Sequence, residues 1–144
     1  MTKSKKLKYR TRPLSQIKKI LVHHSATATG TPEAFARYHV EHNGWAGIGY
    51  HYVIDATGKV YKTQAATTIC NHTAKHNESG LGICLIGNFE QTTPTPAALK
   101  ALVELCKELM KAYSINAVWG HKELVKTVCP GKNLNMTRVR EEIY

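Results

Sequence analysis

A long amphipathic helix is predicted between Thr95 and Tyr113. Thr95 and Pro96 provide its start signal, and apolar side chains then recur at helical spacing. This apolar stripe consists of Leu99, Leu102, Val103, Cys106, Leu109, Met110 and Tyr113. An apolar face of this length must pack against another apolar surface. The stripe therefore predicts a helix that covers a hydrophobic core, and not a cofactor site.

Short apolar runs predict the surface on which this helix packs. Strands, including one hairpin that turns at "DATGK", are predicted in four segments: residues 17–24, 49–62, 80–88 and 115–120. Two more helices are predicted, one from Thr31 to about His42 and one from about Asn135 onwards. Strands and helices alternate irregularly, which predicts an α/β or α+β fold with a single mixed central β-sheet flanked by helices.

The length and charge of the chain set its organisation. A chain of 144 residues is typical of one domain, and no repeat or linker divides it. The formal net charge is +10 at pH 7, and six basic residues lie among the first twelve. Such a charge attracts polyanions, including nucleic acid and anionic cell-wall polymers. We predict a basic tail over residues 1–16 and one domain over residues 17–144. The tail is either solvated or tethers the protein to an anionic surface.

The sequence also bears on where the protein acts. No apolar run is long enough to span a membrane. The basic N-terminus lacks the apolar segment and the small-residue cleavage site of a secretory signal. We therefore expect the protein to be made in the cytoplasm and to need release by another factor before it reaches a target outside.

Four cysteines occur, with spacings that fit neither a zinc ribbon nor a disulfide framework. Cys84 lies in the apolar run "LGICLIG" and Cys106 lies on the apolar face of the long helix, so both are predicted to be small core residues. The sequence around Cys70 does not indicate whether it is a core residue or a site residue. Cys129, in "TVCPG", has the character of a site residue.

Histidines at predicted strand ends indicate a candidate metal site. His23 and His24 end one strand, His121 follows another, and Cys129 comes eight residues after His121. Because consecutive strand residues point to opposite faces, one metal ion would take only one of His23 and His24. Two imidazoles and one thiolate would give zinc three ligands and leave the fourth position open, as in catalytic sites. On spacing alone, structural histidines and a free thiol remain the alternative.

Two further groups of histidines are less specific. His51 lies between Tyr50 and Tyr52 in a predicted strand, so either the tyrosines or the histidine can face a site. His39 and His42 lie three residues apart on the first predicted helix. We expect both to lie at the surface of that helix.

Four motifs span most of the chain: "ILVHHSAT", "GWAGIGYHYVIDATGKVY", "HNESGLGICLIGNF" and "WGHKELVKTVCPG". In this order they resemble the zinc-dependent N-acetylmuramoyl-L-alanine amidases. This type-2 amidase group includes T7-lysozyme-like phage enzymes and peptidoglycan recognition proteins. The resemblance covers about Ile17 to Ile143 and implies the amidase fold, with one Zn²⁺ per chain in a zinc amidase domain over residues 17–144.

The resemblance also assigns the metal ligands. It implies that His23, His121 and Cys129 bind zinc and that His24 is a bystander. Tyr50 falls at the position of the family's catalytic tyrosine.

Thr127 marks a departure from part of the family. Phage enzymes of the T7 type have a lysine two residues before the zinc cysteine, whereas the amidase-active recognition proteins commonly have threonine there. The resemblance therefore makes Thr127 the second catalytic residue beside Tyr50, and leaves open which of the two transfers protons. It implies substrate contacts from His72, Trp45 and Asn77.

The implied function is that of an endolysin-like peptidoglycan hydrolase. It would cleave the amide between the lactyl group of N-acetylmuramic acid and the L-alanine of the stem peptide, using a zinc-bound water. The alternative is a non-catalytic peptidoglycan-binding module. Only the charge suggests a nucleic-acid-binding protein, and no basic-aromatic motif or zinc-finger spacing supports one.

The sequence also bears on the oligomeric state, the partners and the biological role of the protein. We expect a monomer that acts on peptidoglycan, with anionic wall polymers as further candidate partners. The sequence leaves open whether the protein is a phage endolysin, an exported toxin or an autolysin. It also leaves open whether the stem peptide carries meso-diaminopimelate or lysine.

Overall fold

The computed structural model describes residues 1–144 and contains one five-stranded sheet. The strands are β1 (Lys19–His24), β2 (Tyr52–Ile54), β3 (Val60–Lys62), β4 (Gly80–Leu85) and β5 (Val118–Gly120). The helices are α1 (Pro32–Glu41), α2 (Pro96–Tyr113), α3 (His121–Leu124), α4 (Met136–Ile143) and a short 3₁₀ helix, Leu14–Gln16. None of the helices has the length and apolar character that crossing a lipid bilayer requires.

The strand order in the sheet is β3-β2-β4-β1-β5. Strand β1 is parallel to β4 and β5, β2 is parallel to β4, and β3 is antiparallel to β2. This confirms the predicted mixed sheet flanked by helices. Val22 of β1 lies opposite Gly120 of β5. The residues that follow them, His23 and His121, are therefore brought together where the two parallel strands end.

The side chains of the sheet pack on two faces with different roles. Ile20 and Val22 of β1 belong to a core of 20 buried residues, to which α2 contributes Leu102 and Cys106. This confirms the predicted apolar stripe, and each large side chain so buried contributes roughly 1.5–3 kcal/mol. The opposite face has a smaller cluster: Ala36, Ile48, Val53 and Cys84. The larger core holds α2 against the sheet, while the opposite face packs against α1.

Three helices begin at the predicted capping residues. The side chains of Thr31, Thr95 and Asn135 each accept a backbone N–H three residues further on, at 3.1 Å in every case. Such caps satisfy N–H groups that have no partner within the helix. After α1, Gly44 adopts a φ of +71°, a conformation that glycine takes without steric strain. These starts and this ending confirm the predictions from sequence.

The N-terminal segment lies against the domain, unlike the solvated tail that its charge predicts. The hydroxyl of Tyr9 donates to the carbonyl of Gly47 at 2.8 Å. Thr11 forms an isolated β-bridge with Thr68, and Arg12 is only 4% exposed. The segment packs because it exchanges hydrogen bonds with distant backbone groups, which charge alone does not reveal. The boundary at residue 17 and the anionic tether stay predictions.

His51 is a wholly buried histidine immediately before β2. Its Nδ1 accepts the N–H of Gly82 at 3.0 Å, and its Nε2–H donates to the carbonyl of Thr68 at 2.7 Å. Burial lowers the pKa of His51 to about 4, whereas a histidine in an unfolded chain has a pKa of about 6.5. The folded state favours the neutral ring. Its contribution to stability is therefore complete above about pH 6.5 and is lost as the pH falls towards 4.

Replacing His51 with glutamine tests this pH dependence, because the amide keeps one donor and one acceptor but does not titrate. Chemical unfolding with a chelator present should show wild type losing stability between pH 7 and pH 4.5. The H51Q variant should lose roughly 2–3 kcal/mol less, since one pKa unit corresponds to about 1.4 kcal/mol. Equal losses in the two proteins would show that His51 does not carry this dependence.

Candidate metal centre and cleft

Three candidate metal ligands converge from separate parts of the chain. His23 lies near the end of β1, His121 is the first residue of α3, and Cys129 lies in the following loop. The Nδ1 atoms of the two histidines are 3.2 Å apart, and the Cys129 Sγ is 3.6 Å from the His23 Nδ1. The three ligand atoms all lie within 4.8 Å of one another. Two imidazoles and a thiol at this spacing could hold a metal ion, and they are donor types that Zn²⁺ takes in proteins.

The protonation of these groups fits a metal ion. Burial, followed by the neighbouring histidines, lowers the pKa of His23 well below its usual value, so the ring is neutral. Burial likewise lowers the pKa of His121. Burial raises the pKa of the Cys129 thiol to about 11. A divalent cation among the three donors would favour the thiolate and would find both imidazoles in the neutral form that metal ions require.

The second ring nitrogen of His23 has its own partners. His23 Nε2 lies 3.0 Å from His72 Nδ1 and 3.2 Å from the Thr73 hydroxyl. Contacts of this kind fix the tautomer and the ring orientation of a metal-binding histidine, leaving its other nitrogen for the metal. His72 itself is buried, and its Nε2 has no hydrogen-bond partner. The structure thus places His72 in direct contact with a candidate ligand as well as in the wall of the cleft.

An open cleft of about 770 Å³ contains the three candidate ligands. Its wall also includes Tyr50, Thr127, Trp45 and His72, which the sequence predicts as site residues. The Tyr50 ring lies 5.4 Å from the ring of His23. Burial, followed by the nearby thiols of Cys84 and Cys129, raises the pKa of Tyr50 well above its usual value. Its phenol therefore remains protonated at neutral pH and has a proton to donate in a hydrogen bond to a substrate oxygen.

The two tyrosines that flank His51 do not share a face. The sequence pattern treats residues 50–52 as one strand, but β2 begins only at Tyr52. Tyr50 packs with the smaller cluster on the cleft side, whereas Tyr52 packs against the large core with α2. His51 points into the interior between them. The bend before β2 is what frees Tyr50 for the cleft.

Asn77 and His24 use their side chains in hydrogen bonds with backbone N–H groups. The structure does not bring Asn77 to the cleft wall; its side-chain oxygen instead accepts the backbone N–H groups of His72 and Thr73, at 2.9 and 2.7 Å. His24 points away from the metal ligands, and its Nδ1 accepts the N–H of Phe89 at 3.1 Å. Asn77 thus shapes the loop that carries His72. The His24 side chain does not join the three candidate ligands, whereas its backbone N–H donates to the Cys129 Sγ at 3.4 Å.

His39 is a cleft residue that the sequence reasoning missed. The expectation of a surface position is wrong, because His39 is buried and its Nδ1 accepts the N–H of Gly49 at 2.8 Å. Its ring lies 4.7 Å from Trp45 and 5.4 Å from Tyr50. The available signal was helical spacing, since His39 follows the buried Ala36 by three residues.

A mixed sheet that brings two imidazoles and a thiol into an open cleft has the arrangement of a metal-dependent hydrolase. The family described as N-acetylmuramoyl-L-alanine amidase matches residues 13–132 of the chain. The chain belongs to this family.

Known proteins resemble the chain in both sequence and structure. The N-acetylmuramoyl-L-alanine amidase of Sus scrofa is 36% identical over 118 residues, which are 78% of this chain and 20% of that protein. The structure of the amidase LysC from Clostridium intestinale URNW matches with a TM-score of 0.87 at 28% identity, covering 95% of this chain and 93% of LysC. The Ph2119 endolysin from the Thermus scotoductus MAT2119 bacteriophage Ph2119 matches with a TM-score of 0.84 at 36% identity. The match covers 94% of this chain and 89% of the endolysin. The chain spans about a fifth of the length of the mammalian amidases that it matches.

Proposed function

We propose that the protein is an endolysin-like peptidoglycan hydrolase, a zinc-dependent N-acetylmuramoyl-L-alanine amidase. It would cleave the amide between the lactyl group of N-acetylmuramic acid and the L-alanine of the stem peptide. The observation that carries this proposal is the convergence of His23, His121 and Cys129 within 4.8 Å in a cleft that Tyr50 also lines. Membership of the amidase family and the similarity to the Ph2119 endolysin support it.

The proposed hydrolysis needs a Lewis acid and hydrogen-bond donors, and the cleft offers residues for both. Zinc held by the three ligands would supply a Lewis acid, which lowers the pKa of water and polarises a carbonyl. Tyr50 and Thr127 line the same cleft and carry the hydroxyls proposed to hydrogen-bond the scissile carbonyl oxygen. Donors fixed where negative charge develops stabilise the transition state without having to reorganise.

The charge of the chain fits the proposed substrate. Peptidoglycan is the proposed partner of the cleft, and the formal net charge of +10 would draw the protein to anionic polymers of the cell wall. We propose that it acts there after release from the cytoplasm.

Thr127 is proposed to act both in hydrolysis and in placing Cys129. Its hydroxyl oxygen accepts the N–H of Cys129 at 3.3 Å, which leaves its own proton free to donate. The variant T127V keeps the shape and removes the hydroxyl. We expect kcat to fall roughly tenfold and zinc affinity to weaken as well, the effect of losing about one hydrogen bond. The T127S variant keeps the hydroxyl and should stay near wild type; equal behaviour of T127V and T127S would remove this role.

Digestion of purified peptidoglycan tests the proposed function. The protein is incubated with and without a zinc chelator, and the released fragments are identified by mass spectrometry. The proposal predicts stem peptides that begin with L-alanine, lost on chelation and restored by added zinc. Tight binding to peptidoglycan without any release of peptides would instead establish the non-catalytic module. Release at another bond would place the protein in a different class of hydrolase.

A further inference from the structure

Arg12 is a buried cation that no acidic group neutralises. It is 4% exposed and takes part in neither of the two salt bridges of the chain. Its Nε donates to the carbonyl of Ala66 at 3.0 Å. Its Nη1 lies within hydrogen-bond distance of three more carbonyl oxygens, those of Asn77 (3.1 Å), Glu78 (3.0 Å) and Gly80 (2.9 Å). The guanidinium is thus held by backbone carbonyl groups alone, apart from a contact with the His51 ring.

Three of these four carbonyls belong to one short segment, residues 77–80, which ends the loop that carries His72. Carbonyl groups buried without a donor are costly, and hydrogen bonds from a charged donor are stronger than those from a neutral one. The guanidinium donates from two separate nitrogens, Nε to Ala66 and Nη1 to residues 77–80, whereas an ammonium presents all its donors from one nitrogen. Arg12 therefore fixes the backbone of the segment at its junction with β4.

A short series of contacts leads from this segment to a candidate metal ligand. The side-chain oxygen of Asn77 accepts the N–H groups of His72 and Thr73, at 2.9 and 2.7 Å. His72 Nδ1 and the Thr73 hydroxyl then contact His23 Nε2, at 3.0 and 3.2 Å. Gly80 and Gly82 form the surface behind the His72 ring, since a β-carbon at either position would come within 3.3 Å of it. Arg12 also holds the carbonyl of Gly80 and so fixes part of the surface against which the His72 ring packs.

We propose that Arg12 is a positioning residue of the metal centre. Arg12 holds the backbone of residues 77–80, and the Asn77 side chain then sets the positions of His72 and Thr73. These two residues in turn orient the ring of His23. The inference rests on the proposed zinc site and deepens it. Groups that orient a metal-binding histidine typically change metal affinity by 10–100-fold when they are removed. We expect replacement of Arg12 to weaken zinc binding by about tenfold, the lower end of this range, because Arg12 acts through intermediate residues.

The neighbouring Arg10 provides a matched control. It lies in the same segment and contacts the same loop, but through an exposed ion pair with the Glu78 carboxylate at 2.9 Å. Its side chain is 73% exposed. Exposed pairs of this kind contribute little to stability. Replacement of Arg10 with lysine therefore changes the same segment and keeps the charge, as replacement of Arg12 does, without removing the buried contacts.

The experiment measures zinc affinity of the full chain by competition with a chromogenic chelator, for wild type, R12K and R10K. The visible spectrum of the Co²⁺-loaded proteins is recorded in parallel as a report on ligand geometry. We expect R12K to bind zinc about tenfold more weakly with a shifted Co²⁺ spectrum, and R10K to stay within twofold of wild type. Wild-type affinity and an unchanged spectrum in R12K would overturn the inference, even if R12K is less stable.

If R12K does not fold, N77A tests the second step, because it removes the amide that holds His72 and Thr73 without leaving a buried charge. The same loss of zinc affinity would support the inference, and wild-type affinity in N77A would overturn it. A wild-type chain that binds no zinc would overturn the proposed metal centre, and this inference with it. Tight wild-type binding combined with unaffected variants would overturn the role of Arg12 alone.

Discussion

Replacing Cys129 with serine should abolish zinc binding and amidase activity while leaving the fold intact. Serine is close to cysteine in size, and Cys129 is only partly buried, so little packing is lost. The serine hydroxyl does not ionise near neutral pH, and it leaves only His23 and His121 as protein ligands. Loss of a Lewis acid that contributes several kcal/mol to the transition state lowers the rate at least about 10³-fold.

The measurement combines metal content, activity and a control thiol. Zinc per chain should fall from one in wild type to a small fraction in C129S, and release of stem peptides should fall in parallel. The C106A variant removes a buried thiol from the core under α2, where it should lower the free energy of unfolding but leave the zinc content unchanged. A C129S protein that retains zinc and activity would exclude Cys129 as a ligand and contradict the proposed centre.

Much of the candidate centre could be predicted because its residues follow strands. His23 and His121 lie at the carboxyl ends of β1 and β5, and parallel neighbours bring such ends to one edge of a sheet. The pleat allows only one of two consecutive histidines to face the cleft. The family resemblance selects His23. In the structure the His23 ring lies beside His121 and Cys129, whereas the His24 ring accepts a hydrogen bond from Phe89.

Other parts of the site depend on contacts that no local pattern encodes. Arg12 donates to carbonyl groups 54 to 68 residues further along the chain, and its charge alone predicts a solvated side chain. Tyr50 and Tyr52 separate because β2 starts later than the apolar pattern does. Asn77 lies within the motif "HNESGLGICLIGNF", yet its side-chain oxygen accepts two backbone N–H groups. Residue types thus identify the ligands, whereas their supporting contacts follow from the tertiary fold.

Replacing Tyr50 with phenylalanine should separate the chemistry of the cleft from metal binding. The variant removes one hydroxyl and keeps the ring that packs 5.4 Å from both His23 and His39. Because the raised pKa of Tyr50 keeps its phenol protonated, the loss is that of a hydrogen-bond donor. Removing such a donor typically lowers kcat by about 10²–10³-fold.

The control for this variant is Y52F, in which the hydroxyl is lost on the opposite side of the sheet, against α2. We expect Y52F to retain wild-type kcat, and both variants to hold one zinc per chain with wild-type affinity. If Y50F loses zinc as well as activity, Tyr50 would be supporting the metal ligands rather than donating to substrate. If Y50F retains full activity, the Tyr50 hydroxyl has no part in the reaction. Thr127, which lines the same cleft, would then be the one proposed hydroxyl donor that remains.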